Sequence, residues 1–354
     1  MKKEKLPDTG KRAGKSNHHF FFTNSVLSWF SIHGRELPWR GLTDPYPIWL
    51  SEVILQQTRI SQGWEYWERF MRRWPDVNQL AMATEDEVLR EWQGLGYYSR
   101  ARNLHQAAKQ VVQMGGFPNT FEALRKLKGV GDYTAAAIAS FAFNQPVATV
   151  DGNVFRVLSR YFGIQTPINS TEGKKEFGML SQDLLPLNRP ADFNQAMMDF
   201  GAVQCVPSSP LCSDCPLCET CAAFINNQVD ALPVKLRKTK VVERKLTYYY
   251  LRCNGETAIH RRGAGDIWRG LWEPLLQEGE DVPFTMDNEG KLTLLCQDVK
   301  HVLTHRILRA DLFLYETDKR PELPDGYIWI SEGDMERYAM PRLVERLLIK
   351  LEAI

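Results

Sequence analysis

Five cysteines (Cys205, Cys212, Cys215, Cys218 and Cys221) fall within seventeen residues of a 354-residue chain, and this clustering restricts the fold more than any other feature. An oxidised secreted protein spreads its cysteines as distant pairs. Thiolates two to six residues apart on a looping chain can instead converge on one metal centre, and four of them satisfy a tetrahedral zinc or an iron–sulfur cluster. Two ligand sets fit the spacing. Cys212, Cys215, Cys218 and Cys221 form an unbroken C-x2-C-x2-C-x2-C run. Alternatively, Cys205, Cys212, Cys215 and Cys221 form C-x6-C-x2-C-x5-C and leave Cys218 spare. Cys253 and Cys296 stand alone.

The remaining composition fits a metal-bearing soluble protein. Hydrophobic residues make up 44% and charged ones 25%, the balance of a globular chain with a real core, here long enough for two domains. A formal net charge of +1 excludes the uniform basic field of a histone-like binder and leaves room for a local patch. No apolar run approaches the ~20 residues of a membrane span, and the Lys-rich, Glu-containing start lacks a signal-peptide core. The expectation is an intracellular protein without a membrane segment.

Residues 1–18 are basic and polar, with nothing to pack, and read as disordered. Residues 19–225 read as one helical domain. Phe22, Val26 and Phe30 recur at helical spacing, and a second helix follows Pro47. Further helical stretches are expected near 62–72, 85–92, 99–114, 121–127, 133–142, 153–161, 172–182 and 191–203. Residues 226–245 read as a linker whose end, 235–245, holds six basic side chains against one acidic. Residues 246–354 read as a smaller α+β domain. There Leu246–Arg252 and Glu256–Arg261 flank Asn254-Gly255, a dipeptide suited to a tight hairpin. More strands are expected at 292–296, 299–303 and 307–315, and a helix at 341–352. The fold class is therefore multidomain, all-α and then α+β.

Three features carry chemistry. In Leu127–Ala135, Gly129-Val130-Gly131 lies between two helices. It reads either as a plain turn or as a hairpin whose backbone N–H groups meet a phosphate without reading sequence. Glu52 lies within the apolar stripe of its helix, either at the edge with its head in water or buried with a raised pKa suited to a general acid. Asp151 precedes a helix at an N-cap position, where backbone N–H groups favour the ionised form; taken alone, it reads first as a simple cap. Together the two suggest one raised and one lowered acid, the division of labour of glycoside hydrolysis.

Ordered motifs then resemble a family. They are Leu37-Pro38-Trp39-Arg40, Trp49–Thr58, Gly94–Leu104, the Gly129–Ala135 hairpin, Val150–Val154, Phe193–Asp199 and the C-x6-C-x2-C-x5-C spacing. The sequence resembles the MutY-type adenine DNA glycosylases of the helix-hairpin-helix, endonuclease III-like superfamily, densely over residues 20–225 and more loosely beyond. The resemblance implies a 4Fe–4S cluster on Cys205, Cys212, Cys215 and Cys221, with Cys218 a bystander. It implies hydrolysis of the N-glycosidic bond of adenine opposite 8-oxoguanine or guanine in duplex DNA by a monomer in the cytoplasm, or at the nucleoid of a bacterium. Glu52 would protonate adenine N7 and Asp151 would stabilise the sugar cation, with Tyr133 and Asn153 positioning them. Gln57 and Tyr97 would wedge into the duplex, and Trp39, Arg40 and Gln195 would line the adenine pocket. Tyr133 occupies the position where lyase members of the superfamily carry a Schiff-base lysine, so backbone cleavage is not expected.

Residues Ile259–Arg262 and Trp268–Pro274 resemble a MutT-like (Nudix) module. No REUxEExGU segment follows, so pyrophosphatase activity is not expected. Leu303-Thr304-His305 stands where the family's lesion-contacting loop reads Phe-Ser-His, and threonine keeps the hydroxyl. Two other readings are an endonuclease III-like lyase for oxidised pyrimidines and a non-catalytic DNA binder with a structural cluster. Tyr133 and the MutT-like segment argue against the first, and the two carboxylates argue against the second.

Overall fold

The computed structural model describes residues 9–236, 241–278 and 290–351. The helical part contains α1 Thr9–His33, α2 Pro45–Ile54, α3 Ile60–Arg73, α4 Val77–Met82, α5 Glu85–Glu91 and α6 Ser99–Gln113. It continues with α7 Phe121–Leu124, α8 Asp132–Phe143, α9 Gly152–Phe162, α10 Thr171–Leu184, α11 Pro190–Asp199 and the short α12 Ala222–Ile225. After it come β1 Val242–Arg252, β2 Glu256–Arg261, β3 Trp272–Glu273, β4 Leu275–Gln277, β5 Lys291–Val302, β6 Arg306–Glu316, β7 Tyr327–Ser331 and α13 Arg342–Leu348. Among the described residues, no helix is long and apolar enough to cross a membrane.

Packing divides the described chain into two compact units: residues 1–53 with 110–237, and 54–109 with 238–354. The helical text is therefore shared between the units. In the first unit, α1 buries Phe22, Val26 and Trp29 at helical spacing against Val154, Val157 and Tyr161 of α9 and Phe193 and Met197 of α11. Contrary to the expected disorder, α1 begins at Thr9, and His18 stacks on Tyr161 with ring centroids 5.0 Å apart. That aromatic contact gives the polar segment something to pack on. Residues 1–8 lie outside the described residues.

The described residues of the second unit form two sheets, ordered β4-β1-β6-β5 and β3-β2-β7. β1 pairs with β6 in parallel and with β4 antiparallel, and α13 closes one face through Leu343, Val344 and Leu347. The Asn254-Gly255 turn forms as expected, with φ of +50° and +77°. The strands it joins separate after the single Cys253–Glu256 bridge and enter different sheets. A tight turn fixes where the chain reverses, but here sheet packing decides the pairing. β5 runs unbroken through both expected strands, with register shifts around Cys296 and a positive φ at Asp298. β1 begins at Val242, inside the expected linker, of which 237–240 lie outside the described residues.

In the same unit the helical segment 54–109 packs on the strands. The Tyr98 hydroxyl donates to the Met340 carbonyl at 3.3 Å. Arg261 pairs with Asp86 at 2.7 Å, and Arg102 donates to the Arg269 carbonyl at 2.5 Å. α5 starts with a full capping box between Thr84 and Glu87, which satisfies two otherwise orphaned N–H groups.

Candidate active site and cysteine-lined cavity

Every residue of α2 from Tyr46 to Ile54 is buried. A helix buried all round leaves no edge at which a carboxylate can reach water, so Glu52 sits inside, 7% exposed. Its Oε2 accepts a hydrogen bond from the Tyr133 hydroxyl at 2.9 Å. Burial is the main cause that raises the Glu52 pKa to about 7; the Tyr133 bond opposes the rise, nearby Asp151 adds to it, and Arg40 opposes it. Burial, and then Glu52 itself, hold the Tyr133 hydroxyl well above its ordinary pKa, so it stays a donor.

Tyr133 lies in the first turn of α8, which the hairpin delivers. Gly129 has φ +75°, a backbone that L side chains rarely adopt. Gly131 caps α8 in an extended conformation with no side-chain cap bond, and a Cβ there would meet nothing within 4 Å. Among the described residues no contact requires glycine at 131, and the space it leaves lies in front of the helix N-terminus.

Asp151 caps α9 as expected. Its Oδ1 accepts from the Val154 N–H and its Oδ2 from the Asn153 amide, both at 2.8 Å. The expected direction of its pKa is wrong. The pKa is raised, because burial outweighs these bonds and the pull of Arg156. The pair thus holds two raised acids rather than one raised and one lowered.

Sequence reasoning missed the support of this pair. Arg156, buried on α9, donates Nη2 to Asn153 Oδ1 at 2.8 Å and to the Gly201 carbonyl at 2.7 Å, and Nε to the Cys205 carbonyl at 2.8 Å. This fixes the Asn153 amide so that its N–H faces Asp151. Gly201 lies in a wider π turn, Phe200–Gln204, and a Cβ on it would sit 2.6 Å from Asn153 Cβ. Asp199, fully buried, accepts from the Arg35 backbone N–H at 2.8 Å and from Arg40 Nη1 and Nη2 at 2.7 and 2.6 Å. Arg40 is therefore held by a carboxylate that sequence reasoning left without a role. Asn153, Arg156 and Arg160 share one face of α9 at spacings of three and four, which was the available signal.

The remaining expected site residues divide between the units. Trp39, Arg40, Val130 and Gln195 lie in the first unit with Glu52, where Trp39 and Val130 are buried and Gln195 partly so. Gln57, Tyr97, Thr304 and His305 lie in the second. There the Tyr97 hydroxyl meets Thr304 Oγ1 at 2.7 Å, while Thr304 and His305 are exposed at the tip between β5 and β6.

All five clustered cysteines line one cavity with Val157, Arg160, Tyr161, Phe200 and Leu217. Among the described residues, no three metal-ligating side chains converge on a single-ion position. The thiols surround a space that Tyr161 and Phe200 also line. Burial pushes the Cys215 thiol up to about 12. The buried Arg160 points Nη1 at Cys205 Sγ, 3.5 Å away, and donates to the Val206 carbonyl at 2.7 Å. A buried cation and soft thiol donors around one cavity fit an anionic iron–sulfur cluster.

Residues 50–180 match the HhH-GPD superfamily of base excision DNA repair proteins, and residues 247–350 match the NUDIX domain. The chain is 31% identical to the adenine DNA glycosylase of Buchnera aphidicola subsp. Baizongia pistaciae over 94% of its own length and 97% of that protein. It is 43% identical to the mouse adenine DNA glycosylase over 63% of its length, spanning 47% of that longer protein. Among solved structures it resembles a thermostable thymine-DNA glycosylase, at 29% identity and a TM-score of 0.56 over 60% of this chain and 99% of that one. An endonuclease III–DNA complex, at 20% identity and a TM-score of 0.53 over 60% of this chain and 97% of that one, shares the fold.

Proposed function

Because the chain belongs to the adenine DNA glycosylase family, we propose that it excises adenine mispaired with 8-oxoguanine or guanine in duplex DNA, with Glu52 and Asp151 performing the chemistry. It is a base-excision DNA glycosylase acting on adenine, and a monofunctional one. The observation that carries the mechanism is Glu52, a buried acid near neutrality beside Tyr133 and Asp151.

The adenine leaves the base stack before the enzyme reaches its glycosidic bond. Glu52, protonated, gives its proton to adenine N7 as the N-glycosidic bond breaks and the bonding electrons leave with the base. Positive charge then develops on the sugar. Asp151 stabilises it as an anion, held in place by its α9 cap bonds and by the Asn153 amide that Arg156 fixes. Glu52, now ionised, accepts a proton from the water that adds to the sugar. Trp39, Arg40 and Gln195 line the adenine pocket, and Arg40 is anchored there by Asp199. The Gly129–Gly131 hairpin grips the backbone through its N–H groups. Gln57 and Tyr97 enter the helix, while Thr304 and His305 meet the lesion. The enzyme acts as a monomer.

The thiolates of Cys205, Cys212, Cys215 and Cys221 hold a 4Fe–4S cluster, with Cys218 outside it. Bound there, the cluster would cross-link the loop from Cys205 to Cys221. Cys212→Ser is expected to lose iron and acid-labile sulfide together, and Cys218→Ser to keep both. Loss of iron from Cys218→Ser would favour the unbroken cysteine run instead.

The substrate reading is tested with duplexes carrying adenine opposite 8-oxoguanine, guanine or thymine. Free adenine should appear from the first two, with an intact backbone and no adduct trapped by borohydride, since Tyr133 cannot form an imine. Equal release opposite thymine, or a trapped adduct in high yield, contradicts it.

A further inference from the structure

Two exposed side chains of the second unit, Gln57 and Tyr97, stand on left-handed backbone, with φ of +57° and +47°. Residues other than glycine stay there only where neighbouring groups hold them. One residue touches both turns. Arg100 donates Nη1 to the carbonyls of Gln56 and Ile54, at 2.5 and 3.1 Å, and points Nη2 at the Gly96 carbonyl, 3.5 Å away. Its guanidinium lies 5.5 Å from the Tyr97 ring centroid and 5.1 Å from that of Trp92. Its own N–H bonds the Tyr97 carbonyl at 2.8 Å.

We propose that Arg100 is a positioning residue that clips the turn before Gln57 to the turn carrying Tyr97, so that both side chains meet the duplex as one rigid pair. The proposal rests on the reading that these two side chains enter the helix. The carbonyls of Ile54 and Gln56 lie at the negative end of a helix, where a cation is favoured. A planar fork reaches carbonyls on two turns at once and stacks on a ring; a lysine ammonium is a single point charge that cannot span them. Charge at this position is therefore insufficient, and the guanidinium shape is required.

The test uses the full chain and a duplex with 2-aminopurine opposite 8-oxoguanine, whose fluorescence rises as the base leaves the stack. Arg100→Lys should slow extrusion about tenfold, the loss of one charge-assisted bond of ~1.4 kcal/mol, with cooperative unfolding retained. Arg100→Gln should do the same without the charge. In a Gln57→Ala/Tyr97→Ala background, which slows extrusion itself, Arg100→Lys should add almost nothing. An undiminished Arg100→Lys effect in that background, or wild-type extrusion by Arg100→Lys, overturns the clip. Wild-type extrusion by the double-alanine chain overturns the wedge reading beneath it, independently of Arg100.

Discussion

Glu52→Gln is expected to lower single-turnover adenine release by about 10³-fold or more while making the protein more stable at alkaline pH. A positioned general acid contributes roughly 10²–10⁴ in rate, and Gln has no proton to give. The residual rate expected is what the proposed roles of Asp151 and the binding groups leave. The stability change has the opposite sign because of where Glu52 sits. Its folded pKa is about 7, raised from 4.5 mainly by burial. Between those values the folded state binds more protons than the unfolded state, so stability falls as pH rises through the window and stays low above it. Removing the ionisable group should return on the order of 3 kcal/mol at pH 8, measured by urea denaturation. Lower activity with unchanged or lower stability at pH 8 would contradict the buried placement of Glu52.

Asp151→Asn is expected to lower the same rate about 10²–10³-fold with the fold intact. Asn caps helices as well as Asp, so the bond from the Val154 N–H survives and only the charge is lost. Preorganised stabilisation of developing charge is worth about this much in rate. A second effect separates this variant from Glu52→Gln. The Asp151 charge contributes to the raised pKa of Glu52, so its removal should shift the alkaline limb of the rate profile to lower pH. Activity of Asp151→Asn near wild type, or an unmoved limb, would remove Asp151 from its role.

The positions of these two acids could be read in the sequence, but not the energetics. Asp151 stands immediately before a helical stripe, and a cap is a local event that local sequence specifies. Its pKa direction was misread because burial comes from residues distant in the chain, and no local pattern records it. Glu52 posed the same problem in reverse. One helix cannot show whether its polar side meets water, and α2 is buried on every side. Arg156 and Asp199 were not assigned roles because their partners lie far along the chain. Arg156 reaches the Cys205 carbonyl 49 residues away, and Asp199 reaches Arg40 159 residues away. The cysteine spacing carried most information, since side chains that share one loop need no distant contact to be grouped, and all five line one cavity.

The pH dependence of wild-type adenine release under single turnover, opposite 8-oxoguanine, tests the central claim most directly. The proposed mechanism needs Glu52 protonated and Asp151 ionised, and the two titrate as a coupled pair. The rate should fall about tenfold per pH unit above an alkaline limb near 7, the Glu52 value, as expected of a required acid. On the acid side it should fall below a limb lying above the ordinary aspartate value of 3.8, because the Asp151 pKa is raised. A rate that stays level or climbs from pH 7 to 9 would contradict Glu52 as the proton donor.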